Sequence, residues 1–292
     1  MGMGDEIIAT GEVRHAQEQW MEEHPGEPPP LVQIVDVHGC PRRHVLWQNN
    51  PRIAQVGTIF PPNRRPLIVK NGARCRPYID YERMKADFGR AFPNGCYDVR
   101  FKHEKTPWRF TDHKVKKGEL YTRKMAKRAI VIIEPHCKPH QRHQRDWGWK
   151  NYQTVVDAMD VDWVQINAPG APLLDGVRHL PAPTPLAACE LLSGAWAYFG
   201  PEGGLYHAAA ALDVPAVAIF GGFVSPANQG YDEPQYVNIF EEMDGESPCG
   251  QRVECGHCVR AMRKITPEVV IPKIEWVLNL CKPTAAESAR AI

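Results

Sequence analysis

The sequence predicts an α/β protein built on a parallel sheet, and two observations carry that reading. Five short apolar segments, at 129–135, 162–168, 195–200, 215–221 and 236–240, read as strands. Helical patterns at 149–159, 185–194 and 204–212 lie between them. Strands alternating with helices of this length imply βαβ units whose sheet is covered on both faces.

Taken in order, residues 4–20 suggest a helix after a tight turn, and the GEPPP run at 26–30 breaks it. LVQIVDV (31–37) reads as a buried strand and RPLIVK (65–70) as a later one. From 71 to 125 no regular pattern emerges. At the other end, ITPEVVIPKIEWVLNL (265–280) reads as a closing amphipathic helix. Thr266, Pro267 and Glu268 supply its cap and first turn.

The 292 residues allow one large domain or two of ordinary size. Hydrophobic content of 43% and charged content of 24% describe a soluble globular chain. No apolar run approaches the roughly 20 residues that span a bilayer. MGMGDEIIATGEV lacks the regions of a signal peptide, so a cytoplasmic location is expected. The nine cysteines are scattered, which in that compartment implies reduced thiols. The net charge of +1 is uneven. Between Arg100 and Arg128 eleven basic residues face Glu104, Asp112 and Glu119, a local excess of eight. This stretch is either a solvated linker or a docking surface for an anionic partner, since Phe101, Trp108, Phe110 and Tyr121 interleave with the charges.

In parallel sheets of this kind, ligands bind outside the carboxyl ends of the strands. FGPEGGLYHAAAALDVPAVAIFGG (199–222) sits at such a place, with a strand ending, Pro201-Glu202-Gly203-Gly204 turning, and LYHAAAAL starting a helix. A helix start leaves N–H groups without partners and carries about half a positive charge, so a phosphate or diphosphate suits it. His207 is expected to project from the same turn. The alternative is a mere tight connection, with His207 a packed helix residue. A dinucleotide fingerprint is set aside, because Gly2-Met3-Gly4 supplies only the first two glycines of the pattern and follows no strand.

These residues resemble the nucleotide-sugar signature of the ADP-heptose:lipopolysaccharide heptosyltransferases, glycosyltransferase family 9. Its usual form is an acid, Ser or Thr, Gly, an apolar residue, any residue, then His. Glu202, Gly203, Gly204, Leu205 and His207 fill those places, with Glu for the usual Asp and Gly203 for the hydroxyl residue. GMGDEIIATGEVRHAQ (2–17) is similar to the family's "GxxGD" turn and helix, and the strand that normally precedes it is expected either to be absent or to be replaced by another segment. RDWGWKNYQTVVDAM (145–159) resembles a helix start at which a Lys usually contacts donor phosphate, and Arg145 holds that position. PTPLAACELLSGAWAYFG (183–200) and SPCGQRVECGHCVRAMRKITPEVV (247–270) match the approach to the signature and the Cys-containing tail.

The resemblance implies a GT-B fold, two Rossmann-like domains facing across a cleft, with expected boundaries of 1–125 (acceptor side) and 126–292 (donor side). It implies inverting transfer of a sugar from a nucleotide-diphosphate donor, ADP-heptose-like, to an acceptor hydroxyl. Lipopolysaccharide core and a hydroxylated nucleic-acid base both fit an anionic acceptor met by 100–128, and attachment at the inner membrane surface is compatible with the first. Asp5 is the expected base, or else an N-cap. Arg145, Gly203, Gly204 and His207 are expected to meet the departing diphosphate, so that no cofactor or metal is required. Arg145 could equally be a surface residue beside Trp147. Glu202 is expected to reach a sugar hydroxyl or cap the helix, and Lys138 and Arg142 to form a basic rim.

Two clusters have metal-ligand chemistry. Cys249, Cys255, His257 and Cys258 contain a CxxC and a fourth donor, as in small zinc sites, though the family's chemistry does not need one. His136, Cys137, His140 and His143 read as part of the basic rim. The functional alternatives are a binding module that keeps the phosphate turn without transfer, and a nucleic-acid-binding protein using the aromatic-basic stretch.

Overall fold

The computed structural model describes residues 2–88, 109–137, 145–167, 171–242, 248–250 and 255–281. A long helix α1 (Met3–Glu23) precedes β1 (Val32–Val35), a 3-10 turn (Val45–Trp47), β2 (Leu67–Lys70) and α2 (Tyr81–Phe88). Then follow β3 (Ile130–Ile133), α3 (Trp149–Ala158), β4 (Asp162–Asn167), β5 (Arg178–Pro181) and α4 (Pro185–Ser193). The chain continues through β6 (Ala197–Pro201), α5 (Gly204–Ala211), β7 (Ala216–Phe220), the short α6 (Pro226–Gln229) and β8 (Tyr236–Phe240). It closes with α7 (Gly256–Lys264) and α8 (Pro267–Cys281).

β1 and β2 pair in parallel, and the other six strands form one parallel sheet in the order β5-β4-β3-β6-β7-β8. The chain builds outward from β3 to one edge, then returns to β6 and builds to the other. This is the doubly wound order, and the direction reverses between β3 and β6.

Side-chain alternation explains why both faces need cover. Ile130 and Ile132 join one core while Val131 and Ile133 join the other. Tyr198 opposes Ala197 and Phe199 in the same way, and Ala216, Ala218 and Phe220 oppose Val217 and Ile219. On one face Trp147 and α3 meet α8. The Trp147 ring stands edge-on to Tyr152, with centroids 4.9 Å apart, and its Nε1–H donates to Ile265 O at 2.6 Å. On the other face the alanines of α5 pack with Ile7, Ile8 and Val13 of α1, and the same core continues into Val32, Ile34 and Trp47.

Three elements differ from the expectation. β5 has the sequence RHLP and carries no apolar pattern, because an edge strand facing solvent needs none. α2 lies in a region that gave no periodicity. α7 lies just before the expected closing helix. Of the basic stretch, 100–108 lies outside the described residues. The rest wraps the core, with Lys114 paired to Asp232 and Lys117 to Asp213 at 2.6 Å and Glu233 at 3.4 Å.

α1 crosses the 116–118 segment at glycines. A methyl at Gly11 would lie 2.5 Å from Lys116 O, and one at Gly118 would lie 2.7 Å from Ile7 O. Alanine normally favours a helix interior by roughly 1 kcal/mol over glycine. Here the steric cost dominates, so Gly11→Ala should destabilise the protein by about 1–3 kcal/mol in urea unfolding.

Candidate functional site

The turn after β6 is held by its backbone: Glu202 N–H donates to Ile219 O at 2.8 Å, and His207 N–H to Gly203 O at 3.1 Å. The N–H groups of Gly203, Gly204 and Leu205 make no hydrogen bond to the described residues. Gly203 and Gly204 are only half-buried, whereas Leu205 is packed in the core. The first turn of α1 lies against this turn. A methyl at Gly4 would come 2.8 Å from His207 Cδ2, and one at Gly204 would come 2.9 Å from Met3 Cβ. Only glycine at both positions lets two helix starts approach this closely, and it brings two positive dipole ends to one place.

Glu202 lies behind the turn and is 2% exposed. Its Oε2 is 2.7 Å from Arg145 Nη2 and its Oε1 is 3.3 Å from His207 Nε2. Burial pushes this carboxyl upward, but Arg145 and His207 outweigh it and hold Glu202 below the usual carboxylate range. The Arg145 contact is an ion pair without hydrogen-bond alignment. Arg145 Nε and Glu202 Oε2 are buried and make no hydrogen bond to the described residues. Glu202 therefore does not cap α5, whose N-cap is Gly203 with no side-chain bond. His207 is buried too, and its Nδ1 is 2.8 Å from the Tyr231 hydroxyl. With both ring nitrogens engaged it supports Glu202 from inside rather than facing the turn's outer side. Arg145 is not a surface residue, its side chain being 16% exposed.

Asp5 occupies the third position of α1, not the N-cap, which is Gly2. Its Oδ1 accepts from Arg76 Nε at 2.6 Å and the Tyr78 hydroxyl at 2.5 Å. Its Oδ2 accepts from Gly2 N–H at 2.9 Å and Arg76 Nη2 at 3.4 Å. Burial raises its pKa, but the Arg76 charge and these hydrogen bonds prevail and lower it. Asp5 is thus ionised and its four lone-pair positions are occupied. Taking up a proton requires one donor, such as the Tyr78 hydroxyl, to yield its place.

Glu134 follows β3 directly and so lies at the strand-order reversal with the Glu202 turn. Burial pushes its carboxyl up to about 7, against the lowering effects of Tyr198 and Arg145. The Tyr198 hydroxyl donates to Glu134 Oε2 at 2.9 Å and lies 3.0 Å from Pro201 O. Glu134, Tyr198, Tyr231, Arg76 and Tyr78 were not anticipated. A polar residue closing the apolar run 129–133 was a signal for Glu134, whereas Arg76 and Tyr78 lie where no pattern was readable.

Lys138 and Arg142 lie outside the described residues, as do His140 and His143. His136 Nε2 is 3.0 Å from Pro172 O and 3.1 Å from Gln165 Nε2. Cys249, Cys255, His257 and Cys258 converge, each with a ligand atom within 4.8 Å of the others.

Glu134 sets a pH dependence. Its folded pKa of about 7 exceeds the ordinary 4.5, so the folded state holds a proton that the unfolded chain releases. Stability should therefore fall as pH rises through about 4.5 to about 7, by about 3–4 kcal/mol in total from this group. Glu134→Gln should flatten that decline in denaturant titrations at pH 5 and pH 8.

No family model and no curated protein matches the sequence. Among solved structures, the glycosyl transferase family 9 protein from Veillonella parvula DSM 2008 is similar over 95% of this chain and 95% of its own, with TM-score 0.56 and 12% identity. ADP-heptose lps heptosyltransferase II of E. coli is matched over 53% of this chain and 48% of its own, with TM-score 0.39 and 20% identity. For the E. coli heptosyltransferase WaaC with ADP the shares are 51% and 44%, with TM-score 0.40 and 16% identity. The chain thus covers about half the length of these two E. coli enzymes. What the likeness shows is the fold: this chain has the Rossmann-type, GT-B-like α/β fold of the Veillonella parvula family 9 protein.

Proposed function

We propose that the protein is a glycosyltransferase of the family 9 type that takes its sugar from a nucleotide-diphosphate donor. The observation that carries this reading is the Gly203-Gly204 turn, whose N–H groups make no hydrogen bond to the described residues, beside the part-buried Arg145 at the strand-order reversal. Such a place suits a diphosphate, because fixed N–H donors, a helix dipole and a guanidinium all oppose its charge. As the glycosidic bond to the diphosphate breaks, the same groups stabilise the growing negative charge without having to reorganise. In this reading they serve in place of a metal. Glu202 and His207 keep Arg145 and the turn in position from behind.

Asp5 is the base we assign to the acceptor hydroxyl. Attack at the anomeric carbon opposite the departing diphosphate inverts its configuration, while the hydroxyl proton passes to Asp5. The acceptor hydroxyl would take over the position that the Tyr78 hydroxyl holds on Asp5 Oδ1. An ADP-heptose-like donor is the one we assign, as named in the E. coli ADP-heptose lps heptosyltransferase II. The exposed Arg123, Lys124 and Arg128 favour an anionic acceptor, for which lipopolysaccharide core and nucleic acid both qualify.

A thermal-shift screen against ADP-, GDP- and UDP-sugars tests donor binding. A true donor at 100 times its dissociation constant adds about 2.7 kcal/mol and should raise the midpoint by several degrees. No response to any of the three would remove the proposal. Asp5→Asn should keep donor affinity and lose about 10²–10⁴-fold in transfer rate. Transfer at the wild-type rate would exclude Asp5 as base, and donor binding with no transfer by wild type would leave a binding module. Arg145→Met should weaken donor binding by about 1.5–3 kcal/mol in calorimetric titration.

A further inference from the structure

The proposed transfer makes no use of the segment around α7, yet four donor side chains meet there. Cys249 Sγ is 3.6 Å from Cys255 Sγ and 3.2 Å from Cys258 Sγ, and His257 Nδ1 is 3.9 Å from Cys258 Sγ. A disulfide would bring two sulfurs to about 2.05 Å. A tetrahedral ion with bonds of about 2.3 Å to sulfur and about 2.0–2.1 Å to nitrogen spaces its ligand atoms by about 3.4–3.8 Å. The 3.6 Å pair matches those edges and the 3.2 and 3.9 Å pairs lie on either side of them, with all four ligand atoms within 4.8 Å of one another; none of the three cysteines is in a disulfide.

The surroundings form a seat for the cluster. Cys249 N–H donates to Gly222 O at 2.9 Å, anchoring the first ligand to the chain just beyond β7. Cys255 is the N-cap of α7, and its Sγ accepts from Cys258 N–H at 3.4 Å, which holds this ligand at the helix start. Gly222 closes the other side. A methyl there would lie 2.7 Å from His257 Cε1 and 3.2 Å from Cys258 Sγ, so any larger residue would push the donors apart. His257 and Cys258 are buried.

We propose that Cys249, Cys255, His257 and Cys258 bind one four-coordinate d-block cation, with zinc the ion best matched to three thiolates and an imidazole. Four protein ligands leave no open position, so the ion is a structural staple and not a Lewis acid for the reaction. It ties α7 to Gly222, and the chain runs from there through Phe223 and α6 to Tyr231, whose hydroxyl holds His207. The staple therefore steadies the loop that supports the Glu202 turn from behind.

Metal content of the full chain decides the matter. The protein carries no histidine tag and is expressed in zinc- and in iron-supplemented medium, then examined by elemental analysis and native mass spectrometry. One metal ion per chain is expected, and the ion found distinguishes zinc from iron at the same donors. Replacing it with cobalt(II) should give the intense visible bands of four-coordinate cobalt and a thiolate-to-metal charge-transfer band. Cys249→Ser, Cys255→Ser and Cys258→Ser should each lose the ion, and Cys40→Ser should retain it. His257→Gln should keep the charge-transfer band while altering the visible bands, and Gly222→Val should lower occupancy. Wild-type protein without metal from either medium, and without cobalt spectra on addition, would overturn the proposal even if every variant misfolds. So would an intact mass lower by two hydrogens, which signals a disulfide in its place.

Discussion

The close approach of two helix starts is the constraint on which the rest of this structure depends. α1 and α5 are far apart in sequence, yet their first turns touch through Gly4 and Gly204, where a methyl on either would clash. That contact fixes where Asp5 stands relative to the 203–205 turn. It also suits the alanines that follow in α5, since a helix pressed between α1 and the sheet has little room there, and Ala208, Ala209 and Ala210 are fully buried. The glycines at 11 and 118 repeat the device one layer away.

Bringing helix dipoles together at a buried site obliges the protein to manage buried carboxylates, and it does so in two ways. Asp5 and Glu202 are each matched with a guanidinium, Arg76 and Arg145, and stay ionised. Glu134 lies near Arg145 without pairing to it, and burial keeps its proton on through much of the range below pH 7. Removing a guanidinium from either ion pair would strand a charge, which is far more damaging than losing the pair as a unit. Arg145 consequently balances the charge of Glu202 inside.

Much of this was legible in the sequence because burial on both faces leaves an apolar signature. The segments at 130–133, 197–201 and 216–220 announced themselves as central strands, and the Pro-Glu-Gly-Gly turn announced the helix start after them. β5 stayed hidden since RHLP, at the sheet edge, has no fully buried residue to leave an apolar signature. Spacing along α5 could suggest that His207 faces an anion, but it could not reveal Tyr231, 24 residues away, holding its second nitrogen. The Arg76 and Tyr78 clamp on Asp5 was likewise beyond reach, since partners some 70 residues apart are joined by topology and not by periodicity. The four metal-ligand residues at 249–258 were visible as a set, and only their convergence required coordinates.

The account stands or falls on whether a diphosphate sits on the 203–205 amides. Selective ¹⁵N-glycine labelling with ADP titration reports this directly. The amide resonances of Gly203 and Gly204 should move progressively and saturate together, while Gly26 and Gly39, on the exposed loops after α1 and β1, stay still. Saturable ADP binding that leaves Gly203 and Gly204 unmoved would contradict the account.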